Sequence, residues 1–252
     1  MRTNILITGA SSGIGEGMAR VWAEKGHNLA LTARRLDRLE ALQAELTAAH
    51  PGIRVVVHAL DVTDADRVFE VVQKAGAELG GLDRVVVNAG LGKGGRIGTG
   101  RFEANRQTAE TNFVAALAQC EAAMAHFYER RSGHLVVVSS VSAMRGMPGS
   151  MTTYAATKAG LAHLAEGIRS DLVNRKGHDI AVTTVYPGYI ASEMNAQVEQ
   201  KPKGMVDTET GSRALVAAID AEKPEAIVPP WPWRPLSFVL RHAPLGLVRR
   251  MV

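Results

Sequence analysis

Short apolar runs alternate with longer amphipathic stretches along this chain. Runs rich in β-branched or aliphatic residues fall at positions 5–7, 29–32, 55–59, 84–87, 135–138 and 182–185, and the segments between them carry apolar residues at helical spacing. Apolar runs of this length predict strands, and strands alternating with helices predict βαβ units on a parallel sheet. Val85-Val86-Val87 and Val136-Val137-Val138 are apolar on both faces, as expected of strands covered by helices on both sides. The pattern therefore predicts an α/β fold: a doubly wound parallel sheet in three α/β/α layers, forming a single domain over residues 1–228. Residues 229–252 form a separate C-terminal tail. From Gly90 to Gly100 the chain is too rich in glycine for regular structure, and this loop is expected to be mobile.

Composition narrows the classes without choosing one. At 252 residues, 46% hydrophobic and 21% charged, the chain can bury one α/β core and resembles neither a disordered chain nor a polytopic membrane protein. A net charge of +4 is small for this length, and basic residues interleave with aromatics only in the tail, so no nucleic-acid partner is expected. Cys120 is the only cysteine, which rules out a disulfide within one chain and fits a reducing compartment. The apolar run after Asn4 is too short for a signal-peptide core and no stretch reaches the ~18 apolar residues of a membrane span. A cytoplasmic location is expected. The eight histidines are scattered without a ligand-like pairing, so no metal is expected.

The first run leads into Thr8-Gly9-Ala10-Ser11-Ser12-Gly13-Ile14-Gly15, and helical periodicity follows around Met18, Val21 and Trp22. A glycine turn between a strand and a helix lets backbone N–H groups approach a pyrophosphate at the helix N-terminus. The second run ends Thr32-Ala33-Arg34-Arg35, where a site selective for NAD would place an acid against the ribose 2′-OH. Arg34 instead offers a planar cation to a 2′-phosphate, with Ser11 as a further donor; the alternative is a pair of solvated loop charges. Toward the other end, Tyr154 and Lys158 share one helix face, and a nearby cation is expected to lower the tyrosine's pKa from about 10 and fit it for acid–base work. Ser139-Ser140 ends the fifth run.

These residues resemble the short-chain dehydrogenase/reductase family, whose glycine pattern is TGxxxGxG, over roughly residues 4 to 195. The resemblance implies a Rossmann fold and an NADP(H)-dependent oxidoreductase that interconverts a carbonyl compound and an alcohol. It implies that Gly9, Gly13 and Gly15 shape the turn, with Ser11, Ser12 and Ile14 along the cofactor's phosphate and ribose. Arg34 and Arg35 meet the 2′-phosphate, Asp61 and Val62 the adenine, and Asn88-Ala89-Gly90 matches the family's NAG element. Asn112, Ser140, Tyr154 and Lys158 match its tetrad: Tyr154 as proton donor, Ser140 as hydrogen-bond donor to the same oxygen, Lys158 on the nicotinamide ribose, Asn112 ordering a water. Ser140 precedes Tyr154 by fourteen positions (154 minus 140) where thirteen is usual in the family, which leaves Ser142 as the other assignment. Pro187, Gly188, Ile190 and Ser192 belong to a PGxxxT-like element at the nicotinamide, with serine in place of threonine.

Met144, Met147, Met151, Met194 and Met205 fall in segments flanking that end and suggest a pliable apolar pocket for a hydrophobic substrate; ordinary packing is the other reading. Family resemblance also implies a homodimer or homotetramer through helices around 107–128 and 153–174. The tail departs from the family. Beyond Glu225 it has no acid, and Arg234, Arg241, Arg249 and Arg250 interleave with apolar residues, so it packs on the domain, on a neighbouring subunit, or on a membrane surface. Pro235 and Pro244 are expected to divide it into short helices. A catalytically silent NADP(H)-binding sensor is the alternative function.

Overall fold

The computed structural model describes residues 2–195 and 204–249. Seven parallel strands form one sheet: β1 (Asn4–Thr8), β2 (Asn28–Ala33), β3 (Val55–Ala59), β4 (Arg84–Val87), β5 (Ser132–Val138), β6 (Asp179–Pro187) and β7 (Glu225–Val228), in the order β3-β2-β1-β4-β5-β6-β7. Helices α1 (Gly13–Glu24), α2 (Leu36–Ala49), α3 (Ala65–Leu79), α4 (Phe102–Ala109), α5 (Ala115–Arg130), α6 (Met151–Leu172) and α7 (Thr208–Asp220) supply the outer layers. All six apolar runs read from the sequence lie inside strands. The seventh strand was not among them, because Ala226-Ile227-Val228 is short, runs straight into Pro229-Pro230 and pairs only with β6 at the sheet edge.

Period-two alternation sorts the strand side chains into two cores. Ile5, Ile7, Leu29, Leu31, Val136 and Val138 pack beneath α1, α2 and α7; Leu6, Ala30, Val85, Val87, Leu135 and Val137 face α3, α5 and α6. Successive strand residues point to opposite faces, so a strand buried on both sides is apolar throughout. The strand order reverses direction between β1 and β4, and at such a switch point the loops leaving the strand ends diverge and open a crevice.

Three local expectations need correction. The loop from Gly90 has no regular structure as far as Gly95, yet it is fastened. Asn105 accepts from the Gly95 N–H at 3.0 Å and donates to its carbonyl at 3.1 Å, while Thr108 donates to the Lys93 carbonyl. In the tail, Pro244 separates α8 (Pro230–His242) from α9 (Leu245–Val248), but Pro235 lies within α8. The helix is kinked at Trp231, so Pro235 falls in the first turn after the kink, where most amides have no carbonyl partner to lose. Met144 does not join an apolar pocket at the nicotinamide end; it lines a groove beside α8, and its sulfur accepts from Arg241. Arg250 lies outside the described residues.

The tail packs on the domain through Trp233, which is buried with Val141, Ala162 and Tyr186. Its indole lies where a side chain on residue 188 would be, so the Gly188 position admits only glycine.

A charged network is buried at the N-terminal ends of the central strands β4 and β5. Arg84, 2% exposed, donates to Asp220 at 2.7 Å and to His134 at 2.9 Å. Burial, followed by the charges of Arg84 and Arg2, pushes His134 down to about 3, so the ring is neutral and able to accept from Arg84. Asp220 also receives the Trp22 indole N–H and the Lys25 ammonium, tying α1, β4 and α7 together. Removing one partner of a buried pair strands the other charge. Asp220→Ala is therefore expected to cost about 3 kcal/mol of unfolding free energy, measured by denaturant titration, whereas removing the exposed Glu70 partner of Arg67 should cost under about 1 kcal/mol.

Candidate active site

The C-terminal ends of β1 and β4 are knotted together by Thr8. Its hydroxyl accepts from the N–H groups of Asn88 and Ala89 at 3.0 and 3.1 Å and donates to the Val86 carbonyl at 3.3 Å. Asn88 returns the contact, donating to the Thr8 carbonyl at 2.8 Å. Gly9 follows with φ +67, and a Cβ there would come within 2.9 Å of the Ala89 backbone, so both conformation and space require glycine. Asn88 Oδ1 is buried without a partner.

A cleft of about 390 Å³ opens beside this knot. Gly9, Ser11 and Ser12 line its floor, Arg34, Arg35, Asp61 and Val62 one end, and Asn88, Ala89 and Gly90 the other. Gly13, Ile14 and Gly15 form the first turn of α1, whose amides have no upstream carbonyls within the helix. Asp61 is held by Thr63 through its backbone N–H at 3.0 Å and its hydroxyl at 2.8 Å. Burial alone would raise its carboxyl, but the two Thr63 bonds and the charge of Arg34 outweigh it and leave the group below its ordinary value. Of the two arginines, Arg35 is the one that reaches the serine hydroxyls of the glycine turn. Arg35 donates to Ser11 at 3.2 Å and to Ser12 at 2.8 Å, because Arg34 sits beside Asp61 instead.

Ser140, Tyr154 and Lys158 meet beyond β5. Ser139 is turned inward and donates to the Lys158 carbonyl at 2.8 Å, a structural bond. Ser140 caps the short 3-10 turn Val141–Met144, accepting from the Ser142 N–H at 3.2 Å and from its hydroxyl at 3.0 Å. Of the two candidates, Ser140 is the serine that acts on the Tyr154 phenol, opposing the effect of its burial, and Ser142 stands behind it. The extra residue is absorbed in the segment between Met144 and Met151, ahead of α6. Lys158 is buried and donates to the Val138 carbonyl at 2.8 Å, with its ammonium 5.9 Å from the Tyr154 ring centre.

The electrostatics differ from the sequence expectation. Burial raises the Tyr154 phenol above its ordinary value, the Ser140 bond opposes that, and Tyr189 adds to the rise. Lys158 exerts no resolved pull on the phenol, whose shift is set first by desolvation; burial lowers Lys158 itself to about 8. Both groups are pushed toward their neutral forms.

Asn112 is fully buried in a π-helical turn, Glu110–Val114, between α4 and α5. Its side chain accepts from the Leu91 N–H at 2.7 Å and donates to the Leu91 carbonyl at 2.9 Å. The Asn112 side-chain amide thus fixes the backbone next to Gly90. Pro187 ends β6, and Gly188, Ile190 and Ser192 follow it across the mouth of the site. Met194 lies over Gly92, closing the cleft from this side. Two features escaped the sequence reading. Tyr189 stacks edge-on against Trp233 with ring centres 5.2 Å apart, and Glu193 pairs with Arg35 at 2.9 Å and with Arg38. Both partners come from segments far apart in the chain, and no local motif marks such pairs. Among the described residues no cluster of three potential metal ligands occurs, and no helix is long and apolar enough to cross a membrane.

Comparison with known proteins agrees with this geometry. The family described as short chain dehydrogenase matches residues 3–203. An uncharacterized oxidoreductase of Mycobacterium tuberculosis is 51% identical over 249 residues, covering 99% of this chain and 97% of its own length. One from Myxococcus xanthus is 41% identical over 191 residues, covering 76% and 73%. Among solved structures, a short-chain dehydrogenase from Sphingobium yanoikuyae in complex with NADPH superposes with TM-score 0.81 at 27% identity, covering 98% of this chain and 95% of its own. An alcohol dehydrogenase from Thermococcus sibiricus complexed with 5-hydroxy-NADP gives 0.77 at 29% identity, covering 89% and 95%. Motifs, fold and relatives converge: this chain belongs to the short-chain dehydrogenase family and is an oxidoreductase.

Proposed function

We propose that the protein uses NADP(H) to interconvert a hydrophobic ketone or aldehyde and its alcohol. The observation that carries this reading is the cluster of Ser140, Tyr154 and Lys158 at the strand edge that also bears the cleft. The residues present fit the cofactor: Ser11, Ser12 and Arg35 converge as anion donors, and Asn88 Oδ1 is a buried acceptor without a partner. When bound, the cofactor supplies hydride to the carbonyl carbon or accepts it from the alcohol.

Tyr154 then donates its proton to the carbonyl oxygen, which a phenol held neutral by burial is fitted to do. Ser140 donates to the same oxygen, while Ser142 behind it orients the hydroxyl. Lys158 is a buried cation beside the phenol and stabilises the phenolate left after proton transfer. Asn112 acts as a positioning residue by fixing Leu91. Met194 and Tyr189, both partly exposed at the mouth, support a preference for an apolar substrate. Exposed Phe102, Val114 and Leu117 on the α4–α5 segment support self-association there. Trp231 and Phe238, exposed among the tail arginines, support a surface contact for the outer face of α8.

Tyr154→Phe is expected to lower turnover of a bulky ketone panel by about 10²–10⁴-fold, read as NADPH oxidation, with cofactor affinity retained. Unchanged turnover removes Tyr154 from the mechanism, and tight NADPH binding without turnover by wild type across the panel favours the sensor. Alcohol oxidation needs the phenolate, so its rate should climb through the alkaline range while ketone reduction falls. Lys158→Met should abolish turnover yet raise the thermal midpoint at pH 7. The folded-state value of about 8 lies below the unfolded value of about 10.4, so the unfolded chain binds more protons between them. Wild-type stability therefore rises with pH through that window, and the advantage of Lys158→Met should shrink over it in melts at successive pH values.

A further inference from the structure

We propose that Glu193 is an internal competitor for the cofactor's 2′-phosphate and so sets the ratio of NADPH to NADH affinity. The inference rests on the NADP(H) reading above and adds a specificity-determining residue that reaches the arginines from the segment after β6. Arg35 has three guanidinium nitrogens, and each is engaged. Nε and Nη2 hold the Ser11 hydroxyl at 3.2 Å, Nη2 also holds Ser12 at 2.8 Å, and Nη1 holds Glu193 at 2.9 Å. Arg38 donates to the second oxygen of the same carboxylate. One carboxylate thus bridges two arginines that flank the end of the cleft where a 2′-phosphate would lie.

The geometry is that of an anion site filled by the protein's own anion. Hydrogen bonds from Arg38 and then Arg35 hold the Glu193 carboxyl down at about 2, so it is charged at every working pH. Glu193 comes from the segment after β6, which crosses over the glycine turn: a Cβ on Gly13 would lie 3.1 Å from that of Ser192. A phosphate carries more charge and more acceptor oxygens than a carboxylate, so it can take the arginines, but it must first displace Glu193. NADH lacks the 2′-phosphate and leaves the pair intact. Glu193 therefore penalises NADPH alone, and by reciprocity a bound 2′-phosphate loosens the hold of Arg35 and Arg38 on the segment after β6.

The test is calorimetric titration of 2′,5′-ADP and 5′-ADP, probes without nicotinamide, into wild type, Arg35→Ala and Glu193→Gln. Glu193 is half exposed, so the glutamine variant should fold normally. Loss of two exposed ion pairs should let Glu193→Gln bind 2′,5′-ADP about three- to tenfold more tightly, with 5′-ADP unchanged. A wild-type preference for 2′,5′-ADP that depends on Arg35 but is unaltered in Glu193→Gln overturns this inference and leaves the NADP(H) reading standing. Weaker binding of both probes by Glu193→Gln also overturns it, since the pair would then be a clamp. No preference for 2′,5′-ADP in wild type or Glu193→Gln overturns the NADP(H) reading and this inference with it.

Discussion

The hydroxyl of Thr8 holds the point on which the site depends. A parallel sheet whose strand order reverses leaves two neighbouring strand ends, here those of β1 and β4, with loops running in opposite directions. Nothing in the ladder itself fixes how far apart those loops stand. Thr8 does so by engaging three backbone groups of β4 and the turn after it, and Asn88 closes the contact from the other side. Asn112 extends the same fixed backbone by one step, gripping Leu91 through both its N–H and its carbonyl. The cleft therefore has a rigid floor built from side chains that hold backbone, not ligand.

Burial does the corresponding work at the catalytic end. Among the described residues no carboxylate pairs with the Lys158 ammonium, which donates to the Val138 carbonyl. A cation in that setting is held at a cost to folding, which is why its value falls to about 8, and a buried positive charge is most favourable when a negative one forms beside it. In the mechanism proposed above, that moment comes when Tyr154 gives up its proton. In that mechanism, the desolvation that raises the phenol keeps it protonated in the resting protein, and the Lys158 charge interacts with it most strongly only after the proton has left.

Much of this was legible in the sequence because the physics behind it is local. Period-two alternation of Ile5, Leu6 and Ile7, or of Val85, Val86 and Val87, states which face each residue takes, and the structure divides them accordingly between the two cores. The site motifs sit at strand ends, where chain order and space coincide. What was not legible depends on residues distant in sequence. Nothing in Arg34-Arg35 says which guanidinium reaches Ser11, because that is decided by Asp61 drawing Arg34 aside. The value of Tyr154 was misjudged for a related reason: helical spacing brings Lys158 near, but burial is a property of the folded whole. Pro235 misled because a proline's effect depends on its turn of the helix, and the kink at Trp231 resets that count.

The tail shows how a segment outside the family pattern is bound into the site. Gly188 belongs to the element that crosses the nicotinamide end, and its missing side chain is the socket for Trp233. The indole in turn meets Tyr189, with ring centres 5.2 Å apart. α8 is thus packed against Gly188 and Tyr189, in the segment that follows β6. Because interiors are close-packed and transmit displacement, the tail does more than shield the sheet edge. A tail outside the family pattern is therefore built into the segment that bounds the candidate site, although every site motif lies upstream of it.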